Sequence, residues 1–303
     1  MEQTTGKKKT LQRPEYDVLV SLADAARKKQ TGKPQSTPGT SRTIKALEEK
    51  QYIKNGVITR KGLRALEPYR VKRAVFIAAG FGARLVPVTL NTPKPLVRVN
   101  GKRMIDTLLD AVLEAGIKEI YIVRGYLAEQ FDQLLYRYPM IRFIENPVYN
   151  EENNISSAIR ASAHFKNAYV MESDLVLHNP SLLTPYQYAS NYLGYPVKRT
   201  DDWCFEVKDG VIRKPRVGGV NCYHWLGVCY LDEADGKRLP GHLKKMHDSP
   251  GGKEKLWDMA ALEMFQKEYR FELRTCRKED ITEIDTFREL QELDPAYRIK
   301  GSI

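Results

Sequence analysis

"FIAAGFGARLVPVTLNTPKPLVRVNGK", residues 76–102, opens as an apolar strand and then postpones any helix, placing Gly80, Gly82, Arg84, Pro87, Pro93, Lys94 and Pro95 first. Glycines lack the β-carbon that would keep a phosphate away from backbone amides. Arg84 offers a two-pronged, charged hydrogen bond, and the prolines stiffen the segment that carries Lys94. A bare backbone beside fixed positive charge, directly after a strand, suits a triphosphate.

The residues around this loop alternate strand and helix. "RAVFIAA" from Arg73 is a continuous apolar run, as expected of a central parallel strand, and "MIDTLLDAVLEAG" sets Met104, Ile105, Leu108, Leu109, Val112 and Leu113 at helical spacing. "EIYIV", "LAEQFDQLLYRY", "IRFIEN", "NISSAIRASAHF" and "AYVMESD" repeat the cycle. The pattern predicts a doubly wound α/β domain over residues 73–303, whose ligands bind beyond the C-terminal ends of the strands.

The chain of 303 residues carries a net charge of +11, but residues 1–72 hold +10 of it and the remainder only +1. Two domains with different partners follow, 1–72 and 73–303. No apolar run is long enough to span a membrane and the N-terminus is polar and lysine-rich, so a cytoplasmic protein without membrane insertion is expected. Cys204, Cys222, Cys229 and Cys276 show no metal-ligand spacing and read as reduced thiols.

In the basic segment, "PEYDVLVSLADAA" puts Val18, Leu19, Leu22 and Ala26 on one helical face. A polar stretch with Pro34, Pro38 and Gly39 leads to a second helix, "TSRTIKALEEKQYI", with Ile44 and Leu47 inward and Thr40 or Ser41 as its cap. Asn55-Gly56 then signals a hairpin, and "RKGLRALEPY" a short closing helix. This order resembles the winged helix-turn-helix of bacterial transcription regulators. The resemblance implies DNA as a partner of residues 1–72, with Ser41, Arg42 and Lys45 towards the major groove and Lys54 and Arg60 on the wing. A basic docking domain that reads no sequence stands beside it.

The string Gly-x-Gly-x-Arg-Leu-x-Pro-x-Thr, followed by Pro-Lys-Pro-Leu-Val, resembles the signature of nucleotidyltransferases, which implies a Rossmann-like fold with a mixed, mostly parallel sheet. In such enzymes an acceptor phosphate attacks the α-phosphorus of a nucleoside triphosphate and pyrophosphate leaves. The resemblance gives Ala78, Ala79, Gly80, Phe81 and Gly82 to the nucleotide, Arg84 to the outer phosphates, and Lys94 to the bridge between the α-phosphate and the incoming phosphate. Mg2+ would be held by Asp174, at a strand end in "ESD", and by Asp285 in "TEIDTFREL". A lone Asp before a helix could instead be its cap, but the pairing of Asp285 with Asp174 favours the metal role, and Glu172 and Glu283 are expected to face elsewhere.

"IVRGYLAEQF", "IENPVYNEENNISSAI", "DDWCFEVKDG" and "KLWDM" further resemble bacterial choline-phosphate cytidylyltransferases, across nearly all of residues 73–294. By that resemblance the nucleotide is CTP and the acceptor phosphocholine or a related amino-alcohol phosphate or phosphonate. Gly125 and Tyr126 would lie near the cytosine, and Asn154 and Ser156 near the base, ribose or acceptor, unless these two only start a helix. A quaternary ammonium needs aromatic faces. Trp203, Trp257 and Tyr223 are the candidates, with Asp258 or Glu254 as counter-charge. A sugar-1-phosphate nucleotidylyltransferase and a DNA-binding regulator with a nucleotide-sensing domain remain as alternatives.

Overall fold

The computed structural model describes residues 9–27 and 38–298; the polar stretch around Pro34 lies outside them. Contacts divide the chain into two units, residues 1–70 with 186–188 and residues 71–185 with 189–303.

In the first unit α1 (Arg13–Arg27), α2 (Pro38–Glu49), the ribbon β1 (Ile53–Lys54) and β2 (Val57–Ile58), and α3 (Arg60–Leu66) follow one another. Leu19, Leu22, Leu47, Ile53, Leu66 and Tyr69 form its core. Asn55 and Gly56 both take positive φ, 51° and 75°, the geometry a two-residue hairpin turn requires. Thr59 caps α3 by accepting from the Gly62 amide at 3.1 Å. α2 already begins at Pro38, so Thr40 and Ser41 lie inside it and do not cap it. Ala26 is exposed on α1 and Ala23 fills the buried position instead. Ser41, Arg42 and Lys45 on α2, Lys54 on β1 and Arg60 on α3 are all solvent-exposed.

The second unit contains β3 (Arg73–Ile77), the ribbon β4 (Arg98–Val99) and β5 (Lys102–Arg103), α4 (Met104–Glu114), β6 (Glu119–Arg124), β7 (Ile141–Glu145), α5 (Ile155–Ala161), β8 (Ala168–Glu172) and β9 (Leu175–Leu177). The long hairpin of β10 (Asn191–Lys208) and β11 (Val211–Leu231) comes next. After it come α6 (Glu233–His247), β12 (Glu272–Thr275), β13 (Ile281–Glu283) and α7 (Phe287–Leu293). The main sheet runs β10-β12-β11-β8-β3-β6-β7. β8, β3, β6 and β7 are mutually parallel, and β11 joins β8 antiparallel. This is the mixed, mostly parallel α/β sheet expected.

β3 shows why its sequence is apolar throughout. Ala74 and Phe76 pack in one core with α4, while Val75 points to the other core with residues of α5 and α6. A strand covered on both faces has no polar side. Residues 128–136, expected as an α-helix, wind instead as 3-10 turns. Their buried Phe131 and Leu134 are three apart, the spacing that eclipses side chains in that tighter helix. Among the described residues no helix is long and apolar enough to cross a membrane.

Candidate active site

β3 ends at Ile77 in parallel register with Glu172 at the end of β8, so the glycine-rich turn and the acidic strand end emerge side by side. The Ser173 hydroxyl donates to the Ile77 carbonyl at 2.9 Å and ties the two exits together. Gly82 adopts φ +70°, and a β-carbon there would come within 3.0 Å of the Lys94 β-carbon. Glycine is therefore needed twice over, for the left-handed turn and for room. At Gly80 a β-carbon would meet nothing within 4 Å, so its backbone is open to the cavity. Thr89, fully buried, donates to the Gly82 carbonyl at 3.0 Å and folds the proline-rich segment back, which delivers Lys94.

β13 pairs antiparallel with β9, Glu283 opposite Leu175, and the Ile284 amide donates to the Asp174 carbonyl at 3.1 Å. That ribbon carries Asp285 across the far end of the chain to Asp174. Lys94 Nζ donates to Asp174 Oδ2 at 2.8 Å and to Asp285 Oδ1 at 3.0 Å, and Arg84 reaches the same Asp285 oxygen at 2.8 Å. Thr286, not Asp285, caps α7 in a capping box with Glu289, which leaves the Asp285 carboxylate to these cations. Burial of the Lys94 ammonium disfavours its charge, but Asp174 and then Asp285 outweigh burial and raise its pKa above the ordinary lysine value.

Glu172 and Glu283 were expected to point away; they point in. Carboxylate oxygens of Glu172, Asp174 and Glu283 lie within 4.8 Å of one another. The correction is geometric, because side chains two apart on an extended strand share a face. Gly227 leaves the room, since a β-carbon there would sit 2.7 Å from Glu172 atoms. Burial, then Asp174 and Glu283, push the Glu172 carboxyl well above the usual range; burial, then Asp174 and Asp285, do the same to Glu283. Asp174 Oδ1 is buried with no hydrogen-bond partner. An all-oxygen donor set, an orphaned carboxylate oxygen and crowded negative charge fit a hard divalent cation such as Mg2+.

These groups line one side of a cavity of about 520 Å³. Of the residues expected at the site, it is lined by Ala78, Ala79, Gly80, Gly82, Arg84, Lys94, Asn154, Asp174, Trp203 and Asp285. Phe81, Gly125, Tyr126, Ser156, Tyr223 and Trp257 are not in the lining. Phe81 packs edge-on against Tyr126, centroids 4.7 Å apart, and the Tyr126 hydroxyl donates to the Thr89 and Leu90 carbonyls, so this pair braces the proline-rich segment. A β-carbon on Gly125 would meet the Tyr149 ring at 2.7 Å; Tyr149 forms the wall and Gly125 gives it space. Ser156 turns inward, its hydroxyl donating to the Asn153 carbonyl, and Ser157 takes the lining position. Asn154 accepts from the Trp257 amide at 2.9 Å and makes no side-chain cap to α5.

The aromatic expectation is corrected in part. Trp257 is only 2% exposed and packs on Phe165 in the core, and Tyr223 is absent from the lining. Trp225 lies there instead, edge-on to Trp203 with centroids 5.6 Å apart. Asp258 is buried and accepts from the Tyr192 hydroxyl at 2.6 Å, its carboxyl pushed up to about 7 by burial, while Asp202 and Glu152 are the acidic residues of the lining on this side. Glu152 was missed. It pairs with His247 and Lys253, both at 3.0 Å, and no sequence motif links positions so far apart. Trp225 and Gly227 alternate along β11, a signal that was readable.

A glycine-rich loop at a strand end, facing paired carboxylates, is the geometry on which comparison with known proteins bears. The nucleotidyl transferase family profile matches residues 73–188. A 2-aminoethylphosphonate cytidylyltransferase of Lancefieldella rimae is 35% identical over 74% of this chain and 92% of its own. A choline-phosphate cytidylyltransferase of Streptococcus pneumoniae is 28% identical over 73% of this chain and 96% of its own. The solved structure of the CTP:phosphocholine cytidylyltransferase from Streptococcus pneumoniae superposes with a TM-score of 0.69, 29% identity, and coverage of 76% of this chain and all of that one. The chain belongs to the nucleotidyltransferase family and is a nucleotidyltransferase.

Proposed function

We propose that the protein is a Mg2+-dependent cytidylyltransferase that transfers CMP from CTP to a small amino-alcohol phosphate or phosphonate, phosphocholine or 2-aminoethylphosphonate in type. An oxygen of the acceptor attacks the α-phosphorus in line, a new P–O bond forms, and the bond to pyrophosphate breaks. The acceptor oxygen is ionised near neutral pH, so no strong base is needed; the barrier lies in bringing two anions together. Gly80 and Gly82 present backbone to the phosphates, Arg84 holds the outer ones, and Lys94 neutralises the α-phosphate and the incoming oxygen. Asp174 and Asp285, with Glu172 and Glu283 beside them, would hold the ion, which when bound neutralises phosphate charge.

The observation that carries the reading is the convergence of Lys94 on Asp174 and Asp285, drawn from three distant segments. CTP and the acceptor class are supported by the similarity to the two cytidylyltransferases. Trp203 and Trp225 beside Asp202 suit a cationic head, through ring faces for a quaternary ammonium and carboxylate for a primary one. Pyrophosphate release should occur with CTP and an aminoalkyl phosphate or phosphonate. Turnover only with sugar phosphates, or only with another nucleotide, would refute the assignment.

For residues 1–72 the charge of +10 and the exposed Arg42, Lys45, Lys54 and Arg60 support binding to DNA. Retardation of duplex DNA by the full chain should weaken steeply with salt, and no retardation at low salt leaves the docking role.

A further inference from the structure

The geometry points to Lys94 as an internal stand-in for the divalent cation: its ammonium holds the carboxylates while metal is absent, and must leave Asp174 and Asp285 when ion and triphosphate enter together. The inference rests on the metal-dependent reading above.

The same lysine is asked to do two incompatible things. Its ammonium has three N–H groups, and two are already given to Asp174 Oδ2 and Asp285 Oδ1. Its side chain is only 12% exposed, so this is a largely dehydrated contact and not a screened surface pair. Arg84 folds onto Asp285 as well, from an exposed position. Both cations of the phosphate cradle are thus bound to the carboxylates that would hold the ion. The two cations meet Asp174 and Asp285, with the carboxyls of Glu172 and Glu283 close beside Asp174. If phosphate draws Lys94 and Arg84 away, the carboxylates are left uncompensated in a partly buried site, and that state demands a dication. If metal comes alone, it must displace an ammonium already in place at 2.8 and 3.0 Å.

Two consequences follow. The free protein binds metal weakly by itself, because an internal competitor occupies two of the ligands. Metal and nucleotide bind as a coupled pair beyond what metal–nucleotide association in solution provides, because each removes the obstacle to the other.

The test is titration of Mn2+ into the full-length protein without nucleotide, followed by electron paramagnetic resonance of the free ion, for the wild type, Lys94→Met, Lys94→Gln and Arg84→Gln. Both Lys94 variants are expected to bind Mn2+ about tenfold tighter or more, since a buried like charge is removed at contact distance. Arg84→Gln, which removes an exposed charge, should change affinity by less than about threefold. Lys94→Gln keeps a hydrogen-bond donor and guards against collapse of the Met variant; circular dichroism of each establishes that the fold is intact. Equal or weaker Mn2+ binding by folded Lys94 variants overturns the inference, as does an equal gain in Arg84→Gln, which would show a general field and not occupancy. Wild-type protein that takes up no Mn2+ even with CTP present would instead overturn the metal-dependent reading itself.

Discussion

The cavity has two walls built in opposite ways. Its glycine-rich wall is one continuous stretch, residues 78–95, held by its own glycines and prolines. The opposite wall is assembled from Asn146–Ser157, the β10–β11 hairpin and Leu256, segments that meet only in the folded chain. A wall made of neighbours in sequence carries its chemistry as a motif; a wall made of distant pieces carries it only as geometry.

The comparison can be broken most severely at the junction of the walls. Asp174→Asn or Lys94→Ala should lower turnover by about a thousandfold while leaving the fold intact, as removal of a fixed charge from a reacting centre does. Pyrophosphate-release kinetics on variants checked by circular dichroism would show it; near-normal turnover would place the chemistry elsewhere.

The aromatic residues sharpen it next. Trp257→Ala should cost about 3–5 kcal/mol of stability, as loss of a large buried ring does. Trp203→Ala, at a partly buried ring on the margin of that core, should cost less than Trp257→Ala, yet raise the acceptor KM. Denaturant titration beside steady-state kinetics separates the two, and a reversed pattern would mean that core and lining have been confused.

Within the glycine-rich wall the two glycines should differ. Gly82→Ala meets positive φ and the Lys94 side chain, and should lose about 1–3 kcal/mol together with activity. Gly80→Ala has open space around it and should leave melting temperature within about 2 °C. Equal losses in both would show that backbone strain is not what sets Gly82.

The smallest expected effect lies in the far wall. The hydrogen bond to Glu152 raises the His247 pKa above that of a free histidine. Its stabilisation is therefore complete below about pH 6.5 and is lost as pH rises through the folded-state value. Glu152, held low by Lys253 and His247 against its burial, contributes in the other direction, losing stabilisation as pH falls through its lowered value. His247→Gln should remove the neutral-pH part of this dependence, about 1 kcal/mol or less for a partly exposed pair, in melting curves taken from pH 5 to 9. An unchanged slope would show that the pair sets nothing.

Much of the fold was legible because its signals are local. The apolar runs of β3, β6 and β8 and the period of α4 follow from which faces are covered, and Asn55-Gly56 follows from the turn it must make. The inward direction of Glu172 was available from the two-residue period, and was misread. Trp257 could not be told from Trp203 in sequence, because both are aromatic residues beside acidic ones, Asp258 and Asp202, and burial alone separates them. Tyr126 and Phe81 sat in the right motifs but serve as braces behind the loop.

By itself the sequence determined the alternating strands and helices, the bare backbone at Gly80 and Gly82 and the stiff segment bearing Lys94, because backbone freedom and hydrophobic period are properties of adjacent residues. Only the tertiary structure decided that Asp285 meets Asp174, that Glu172 and Glu283 join them, and that Trp225 shares the cavity with Trp203. Those encounters depend on the register of β13 on β9 and of β10 on β11, which is set by packing of the whole unit.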